Sequence, residues 1–330
     1  MDTRIRVENV DYYSFGADMK AIPVSSGGHL PKELNGHMEY LNYTIRQLPL
    51  CNLNVKTPPT KPTDLKMESL LDYLRQNGFP SRNKPNFVTT KSLLQSVASL
   101  ETNLVHVCRV GGVIYILKAD KENPDNYGKI FEHFMTKKQG EELNRAENRT
   151  NGVFKATILN GEKETWNILY SGKVDAVSRT PKGNLRHYEL KVSTGAPGAD
   201  YFWSENSCSH FWQSFFGGSP SIILGSRTDK TPWQKSKLIR YPKFSIYEIK
   251  EISRDTIPEN VAELPRRFQW TVADGKKNIR NFLQLVKNHL GKDGDCFVFS
   301  RIPGNLKWDI RRDEKAVAEF RETVRKSVTV

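Results

Sequence analysis

The stretch SGKVDAVSRTPKGNLRHYELKVS, residues 171–193, predicts a β-hairpin that presents charged groups on one face. Apolar residues alternate on both sides of a turn at residues 182–184. Because residues two apart share a face of a strand, Glu189 and Lys191 project together, with Leu190 on the opposite, core-facing side. Asp175 lies on the partner strand and can lie across from them. The hairpin therefore predicts a small cluster of charges on a sheet.

This spacing is typical of metal-dependent nucleases, which use an acidic residue followed by Glu-x-Lys on the next strand. Hard divalent ions prefer oxygen ligands, and Asp175, Glu189 and the Leu190 carbonyl can supply them. Lys191 can then orient a water or stabilise charge on a transferred phosphoryl group. In an ordinary hairpin the same residues would be surface charges. Lys173 lies on the same face, where such a site would instead need a carboxylate.

Two more polar residues stand within apolar surroundings. Glu132 lies in YGKIFEHFM, a predicted helix, and Gln213 lies in HFWQSFFGG, a short aromatic helix. Either side chain can face a site, or it can face solvent. His187, close to Glu189, is either a further site residue or an ordinary strand residue.

The order of predicted elements indicates an α+β fold with one large mixed β-sheet flanked by helices. Paired glycines at 111–112 predict a tight hairpin, and Thr90 is a predicted helix cap. Another helix is expected to begin at Asp64. Residues 136–152 are interpreted as a surface loop. We expect one domain over residues 1–330, on which an irregular N-terminal arm, residues 1–62, packs.

Composition favours a polyanionic partner. The 330 residues carry a net charge of +13, which attracts nucleic acid, an acidic partner or a membrane surface. No run of 18 apolar residues is present and the N-terminus lacks a signal-peptide core, so an intracellular protein, nuclear or cytoplasmic, is expected. The four scattered cysteines predict free thiols.

Four segments taken in order carry a family resemblance: YGKIFEHFM, LYSGKVDAV, YELKVS and HFWQSFFGGSPSIILGSR. Together they resemble the decapping exoribonuclease (DXO/Dom3Z) family, which has a PD-(D/E)xK nuclease-like core. The resemblance implies removal of aberrant caps, NAD caps or pyrophosphate from RNA 5′ ends. It also implies 5′-to-3′ exonuclease action with Mg²⁺ or Mn²⁺.

Carried over by motif, the resemblance implies specific roles. Glu132, Asp175, Glu189 and the Leu190 carbonyl would be metal ligands. Lys191 and Gln213 would face the scissile phosphate and the attacking water.

The sequence departs from the family at two positions. The family motif Gly-Glu-x-Asp here reads Gly172-Lys173-Val174-Asp175, and an upstream substrate-binding arginine aligns with Lys91. The family site has a formal charge of −3, whereas three carboxylates and two lysines here give −1. Metal binding should therefore weaken. Lysine also cannot hold a phosphate in the bidentate manner of arginine.

Three interpretations of Lys173 remain open. The protein can be an RNA 5′-end-binding protein that has lost nuclease activity, as the Cutoff-like branch is thought to be. It can instead be an active decapping hydrolase and 5′-3′ exoribonuclease that works with one metal or on few substrates. A shifted alignment would place Glu162 or Glu164 in the missing role.

Two expectations concern partners. A third function, stabilising a processive 5′-3′ exoribonuclease as fungal relatives do, is also open. A basic segment around an aromatic residue predicts a surface along which RNA would approach the cleft, called here the RNA path, or else a solvated loop. Its residues are Arg227, Lys230, Trp233, Lys235, Lys237 and Arg240.

Overall fold

A computed structural model describes most of the chain. The described ranges are 3–16, 18–34, 51–53, 67–80, 84–101, 103–119, 127–137, 149–160, 164–194, 202–228, 233–236, 239–241, 243–302 and 307–328, with side chains left out at 160, 233–236 and 239–241.

Within these ranges, the larger sheet has nine strands, both parallel and antiparallel. Its order is β16-β15-β5-β6-β4-β8-β7-β1-β2. These strands are β1 Arg4–Phe15, β2 Ala21–Pro23, β4 Phe87–Thr90, β5 Asn103–Val110, β6 Val113–Lys118, β7 Arg149–Asn160, β8 Glu164–Lys173, β15 Cys296–Arg301 and β16 Asp309–Arg312.

A second, five-stranded sheet has the order β9-β10-β11-β14-β3 among the described strands. Its strands are β3 Cys51–Asn52, β9 Ala176–Arg179, β10 Leu185–Thr194, β11 Ser221–Arg227 and β14 Ser245–Ser253, and a separate pair comprises β12 Trp233–Ser236 and β13 Ile239–Tyr241. The α-helices are α1 Glu68–Asn77, α2 Lys91–Ala98, α3 Tyr127–Thr136, α4 Ser207–Phe216, α5 Ile257–Ala262, α6 Val272–His289 and α7 Glu314–Val328.

The chain leaves the larger sheet and enters the smaller one at residues 174–175. Strand β8 ends at Lys173, and β9 begins at Ala176, which pairs with Tyr188 of β10. Asp175 therefore lies in a short break between the two sheets, beside the middle of β10. This break brings charged residues of both sheets to one place.

Apolar packing holds the sheets and helices together. The largest cluster joins α2, α4 and α6 to the larger sheet, and includes the fully buried Trp166, Trp212 and Phe154. A separate cluster packs Phe131 of α3 against Leu190 and Ile223 of the smaller sheet. Burial of such side chains contributes about 1.5–3 kcal/mol each. Helices α2, α3 and α4 are thereby fixed around the break.

The predicted α+β architecture with a large mixed sheet is confirmed, and a second mixed sheet accompanies it. Thr90 caps α2 by accepting a hydrogen bond from the Leu93 N–H at 3.4 Å. The hairpin at Gly111-Gly112 is also confirmed, because both residues have the positive φ angles, 59° and 81°, of a two-residue turn. No helix in the described part of the chain is long and apolar enough to span a membrane.

Two local expectations are wrong. Residues 4–15 form a regular strand instead of an irregular arm, since they pair along their length with β7. Part of the expected surface loop at 136–152 is strand as well, because β7 begins at Arg149. The expected helix start at Asp64 lies outside the described residues.

Candidate nucleotide-binding cleft

A cleft of ≈ 320 Å³ opens at the break between the two sheets. Strands β4, β6, β7, β8 and β10 and helices α2, α3 and α4 contribute its walls. The lining residues are Thr90, Lys91, Ser92, Gln95, Leu117, Lys118, Glu132, Arg149, Asn151, Ser171, Gly172, Lys173, Asp175, Lys191 and Gln213.

Lys91, the first residue of α2, reaches the cleft floor across Gly172. A Cβ atom added at Gly172 would lie 2.4 Å from the Lys91 Cβ, so the position requires glycine. The Lys91 ammonium donates to the Lys173 carbonyl oxygen at 2.7 Å and to the Glu189 Oε2 at 3.3 Å. Gly172 therefore allows α2 to bring a buried positive charge to the carboxylates.

Glu189 is 1% exposed and lies between two ammonium groups. Lys191 Nζ is 2.8 Å from Glu189 Oε1, on the opposite side of the carboxylate from Lys91. A buried carboxylate is stabilised by such pairing. Both oxygens of Glu189 are thus engaged by lysines.

The Lys173 side chain points into the charged cluster. Its ammonium contacts Glu132 on α3 and lies 3.2 Å from Asp175 Oδ1. The other oxygen of Asp175 accepts a hydrogen bond from the Leu190 N–H at 3.1 Å. The lysine therefore occupies the space between two of the three carboxylates.

The charge states follow from these contacts. Burial alone would raise the pKa of Asp175, but the ammonium groups of Lys173, Lys191 and Lys91 together hold it below its usual range. Burial alone would lower the pKa of Lys173, but its carboxylate neighbours raise it above its usual value. Burial raises the pKa of Glu132, although the charge of Lys173 opposes this. Asp175 and Lys173 are therefore a charged pair at neutral pH.

This donor set does not fit a divalent metal ion. Three carboxylates face three ammonium groups, so the formal charge of the cluster is zero where a metal site needs it negative. No group of three or more acidic, histidine or cysteine side chains in the described ranges is arranged to hold a metal ion. The metal-ligand roles expected of Glu132, Asp175, Glu189 and the Leu190 carbonyl thus lack a geometry that supports them here.

Basic residues outnumber acidic ones along the cleft wall. Lys91, Lys118, Arg149, Lys173 and Lys191 line it, whereas its acidic lining residues are Glu132 and Asp175. The local field therefore favours an anion such as a phosphate. The sequence patterns did not identify Lys118, which ends β6, or Arg149, which begins β7. Extending the alternation of β7 back from Val153 through Asn151 would have found Arg149.

The remaining polar residues of the hairpin and α4 take different positions. Gln213 lines the cleft, one turn after His210, whose pKa is lowered to about 3 by burial and by the charge of Lys191. His187 lies outside the cleft lining. Its Nδ1 donates to the Gly217 carbonyl at 2.8 Å, and its Nε2 accepts from the Tyr12 hydroxyl at 2.6 Å. His187 therefore has a structural role.

Of the side chains in the predicted RNA path, the structure describes only that of Arg227. The Arg227 guanidinium lies 5.1 Å from the ring centre of Tyr127 and 5.5 Å from that of Phe244, outside the cleft lining. Only the backbone of Trp233, Lys235 and Arg240 is described, and Lys230 and Lys237 lie outside the described residues. Their role in binding RNA remains a prediction.

The position of Glu164 does not support the shifted alignment. Glu164 is the first residue of β8 and pairs with Lys287 of α6, at the opposite end of the strand from Lys173. At about 3.3 Å per residue, that separates it from the cleft by roughly 30 Å. Glu162 lies outside the described residues.

Comparisons with known proteins agree with this fold. Residues 50–327 match a family model described as RAI1 like PD-(D/E)XK nuclease. A curated relative, the decapping nuclease dom-3 of Caenorhabditis elegans, is 27% identical over 163 residues, which cover 49% of this chain and 35% of that protein. The match thus spans about a third of the relative's length.

Solved structures of low identity share the fold. Candida albicans Rai1, in complex with pU5-Mn2+, has a TM-score of 0.70 at 12% identity, covering 98% of this chain and 96% of the other. Schizosaccharomyces pombe Rai1, in complex with 3'-FADP, has a TM-score of 0.68 at 19% identity, covering 94% and 95%. Kluyveromyces lactis Dxo1, in complex with manganese, has a TM-score of 0.66 at 13% identity, covering 94% and 92%. The family model covers most of the chain and the fold extends over nearly all of it, so the protein belongs to the RAI1-like PD-(D/E)XK nuclease family.

Proposed function

We propose that this protein binds the 5′ ends of RNA in the cleft and that its metal-dependent hydrolysis is weak or lost. The observation that carries the proposal is the position of the Lys173 ammonium between Glu132 and Asp175. A divalent ion there would meet a positive charge at ligand distance. Family membership supports RNA 5′ ends as the ligand, and the basic cleft wall supports an anionic one.

Two residues support retention of the binding function. Gln213 and Lys191 both line the cleft, as expected of groups that face a phosphate. They can donate hydrogen bonds to phosphoryl oxygens without a metal ion. Binding and hydrolysis thus place different demands on this site, and only hydrolysis through metal ions conflicts with Lys173.

The proposal is tested by incubating the protein with four RNAs in Mg²⁺ or Mn²⁺. These carry a 5′ triphosphate, an NAD cap, an unmethylated cap or a 5′ monophosphate. We expect binding of the RNA with little or no released 5′ product. The Lys173→Glu variant should release more product than the parent. Lys182→Glu serves as the control, because it makes the same charge change in an exposed turn outside the cleft.

The active-enzyme alternative has a clear signature in the same assay. Efficient release of a 5′ product by the parent, abolished in Glu189→Ala, would refute the proposed loss of hydrolysis. Absence of binding to any of the four RNAs would refute the proposed ligand.

A further inference from the structure

Two buried polar atoms at the start of β7 have no hydrogen-bond partner in the described part of the chain. They are the Arg149 Nε and the Asn151 Oδ1. Both residues line the cleft. Native proteins rarely leave buried polar atoms unsatisfied, so two in one cleft indicate groups that a ligand completes.

The strand register places these residues beside the lysine that takes the metal's place. Asn151 pairs with Lys173 across β7 and β8. Arg149 is two residues earlier on the same face, where β8 has already ended and the chain turns toward Asp175. Arg149 and Lys173 thus present two cations at adjacent positions of one wall.

Arg149 differs from the three lysines of the cluster. Each of those lysines is paired with a carboxylate of the site, whereas the ion pairs among the described residues include none with Arg149. Its planar guanidinium can bind two oxygens of a phosphate at once. Unlike those three lysines, it is a cation of this wall without a carboxylate partner among the described residues, and so it is available to a ligand.

Asn151 adds a neutral group to the same wall. It is 4% exposed, and its Nδ2 donates to the Tyr13 hydroxyl at 3.2 Å. The residue lines the cleft, and its Oδ1 is buried and has no partner among the described residues. As an oxygen it can accept from a ribose hydroxyl, and after an amide flip it can donate to a phosphoryl oxygen. Either contact suits a nucleotide.

We propose that Arg149 and Asn151 form a phosphate-binding site for the 5′-terminal nucleotide of RNA that operates without a divalent cation. This inference rests on the proposed function and adds the residues and the metal independence. A divalent ion held by these carboxylates would itself supply positive charge for a phosphate. Here Lys173 neutralises the carboxylates, and Arg149 binds the phosphate directly.

Binding of short 3′-labelled RNA oligonucleotides, measured by fluorescence anisotropy, tests this proposal. One oligonucleotide has a 5′ phosphate and the other, of the same sequence, a 5′ hydroxyl. The parent should prefer the phosphorylated RNA in EDTA, and Mn²⁺ should leave the preference unchanged. Arg149→Gln should weaken binding of the phosphorylated RNA about tenfold or more, and leave the hydroxyl RNA unchanged.

Two further variants control for charge and folding. Lys155→Gln removes one positive charge from the same strand outside the cleft, and it should preserve the preference. Arg149→Lys keeps the charge without the bidentate fork, and it should show an intermediate preference. Thermal unfolding of each variant checks its folding, so Arg149→Lys carries the test if Arg149→Gln does not fold.

The outcomes separate the two proposals. If the parent binds both RNAs equally, if EDTA removes its preference, or if both folded Arg149 variants retain it in full, this inference is refuted and RNA binding stands. If the parent binds neither RNA, the proposed function fails as well.

Discussion

Replacing Lys173 with glutamate should create a metal site in this cleft. The change replaces the ammonium that contacts Glu132 and lies 3.2 Å from Asp175 with the fourth carboxylate of the cluster. The formal charge of the cluster then falls from zero to −2. Four carboxylates would face two lysines, Lys91 and Lys191, and the space between the acids would be open to a cation.

The magnitude follows from Coulomb's law. Unit charges about 4 Å apart interact by about 4 kcal/mol at an effective dielectric constant near 20. Replacing one positive charge by a negative one changes the interaction with a divalent ion by more than this before relaxation. Even a third of that single interaction, about 1.4 kcal/mol, is a tenfold gain in affinity. We therefore expect Lys173→Glu to bind Mn²⁺ at least about tenfold more tightly than the parent.

Calorimetric titration and thermal unfolding measure this gain independently of any reaction. Without metal, the variant should melt below the parent, because Glu132 and Asp175 lose their positive partner and meet another negative charge in a half-buried cluster. Saturating Mn²⁺ should recover stability in proportion to the logarithm of its concentration over Kd. The parent should show no such recovery.

Control variants separate site formation from general charge effects. Lys182→Glu should neither bind Mn²⁺ nor depend on it for stability, and Lys173→Met removes the repulsion without adding a ligand, so its affinity should be intermediate. Equal Mn²⁺ affinity in Lys173→Glu and the parent would refute the argument that Lys173 excludes metal.

Two other predictions concern the frame of the site. Gly172→Ala should lower the unfolding free energy, measured by urea titration, by about 1–3 kcal/mol, because the new methyl group would overlap the Lys91 side chain. Gly128→Ala is the control, since no atom lies within 4 Å of its added Cβ. An equal loss of stability in both variants would contradict the packing argument. His210 is held neutral in the folded state by burial and Lys191, with a pKa of about 3 against 6.5 when unfolded. Since the unfolded chain binds the extra proton, stability should decline as pH falls below about 6.5, by up to about 1.4 kcal/mol per pH unit. Urea unfolding between about pH 7 and pH 5 should show a shallower decline in His210→Gln, and an unchanged decline would exclude His210 as its source.

The sequence was sufficient for elements whose signals are local. Thr90 caps its helix and Gly111 and Gly112 make their turn because hydrogen bonding and φ angles there depend on neighbouring residues. The hairpin pattern alone placed Asp175, Glu189 and Lys191 together. Their convergence with Glu132 and Gln213 came instead from the family resemblance, since no local rule connects α3, β10 and α4.

What could not be predicted depends on contacts between distant segments. The sequence indicated that Lys173 shares a face with Asp175, but the position of its ammonium depends on Glu132, 41 residues earlier in the chain. The role of Gly172 is visible only once α2 lies across it. Arg149 was missed because its strand begins within a polar, mixed-charge segment, where pairing with β1 outweighs local propensity.

Membership of a nuclease family does not by itself determine the activity of this cleft. A nuclease fold persists at 12–19% identity to solved relatives, since its sheets depend on buried apolar residues that do not include the charged cluster. The cluster is a separate requirement, because one side chain at position 173 changes its formal charge by two. Binding of a phosphate improves when positive charge is added to the wall, whereas binding of a divalent ion worsens. A single substitution can therefore weaken hydrolysis and strengthen RNA binding in the same cleft. Loss of hydrolysis does not imply loss of RNA binding, so both properties have to be measured.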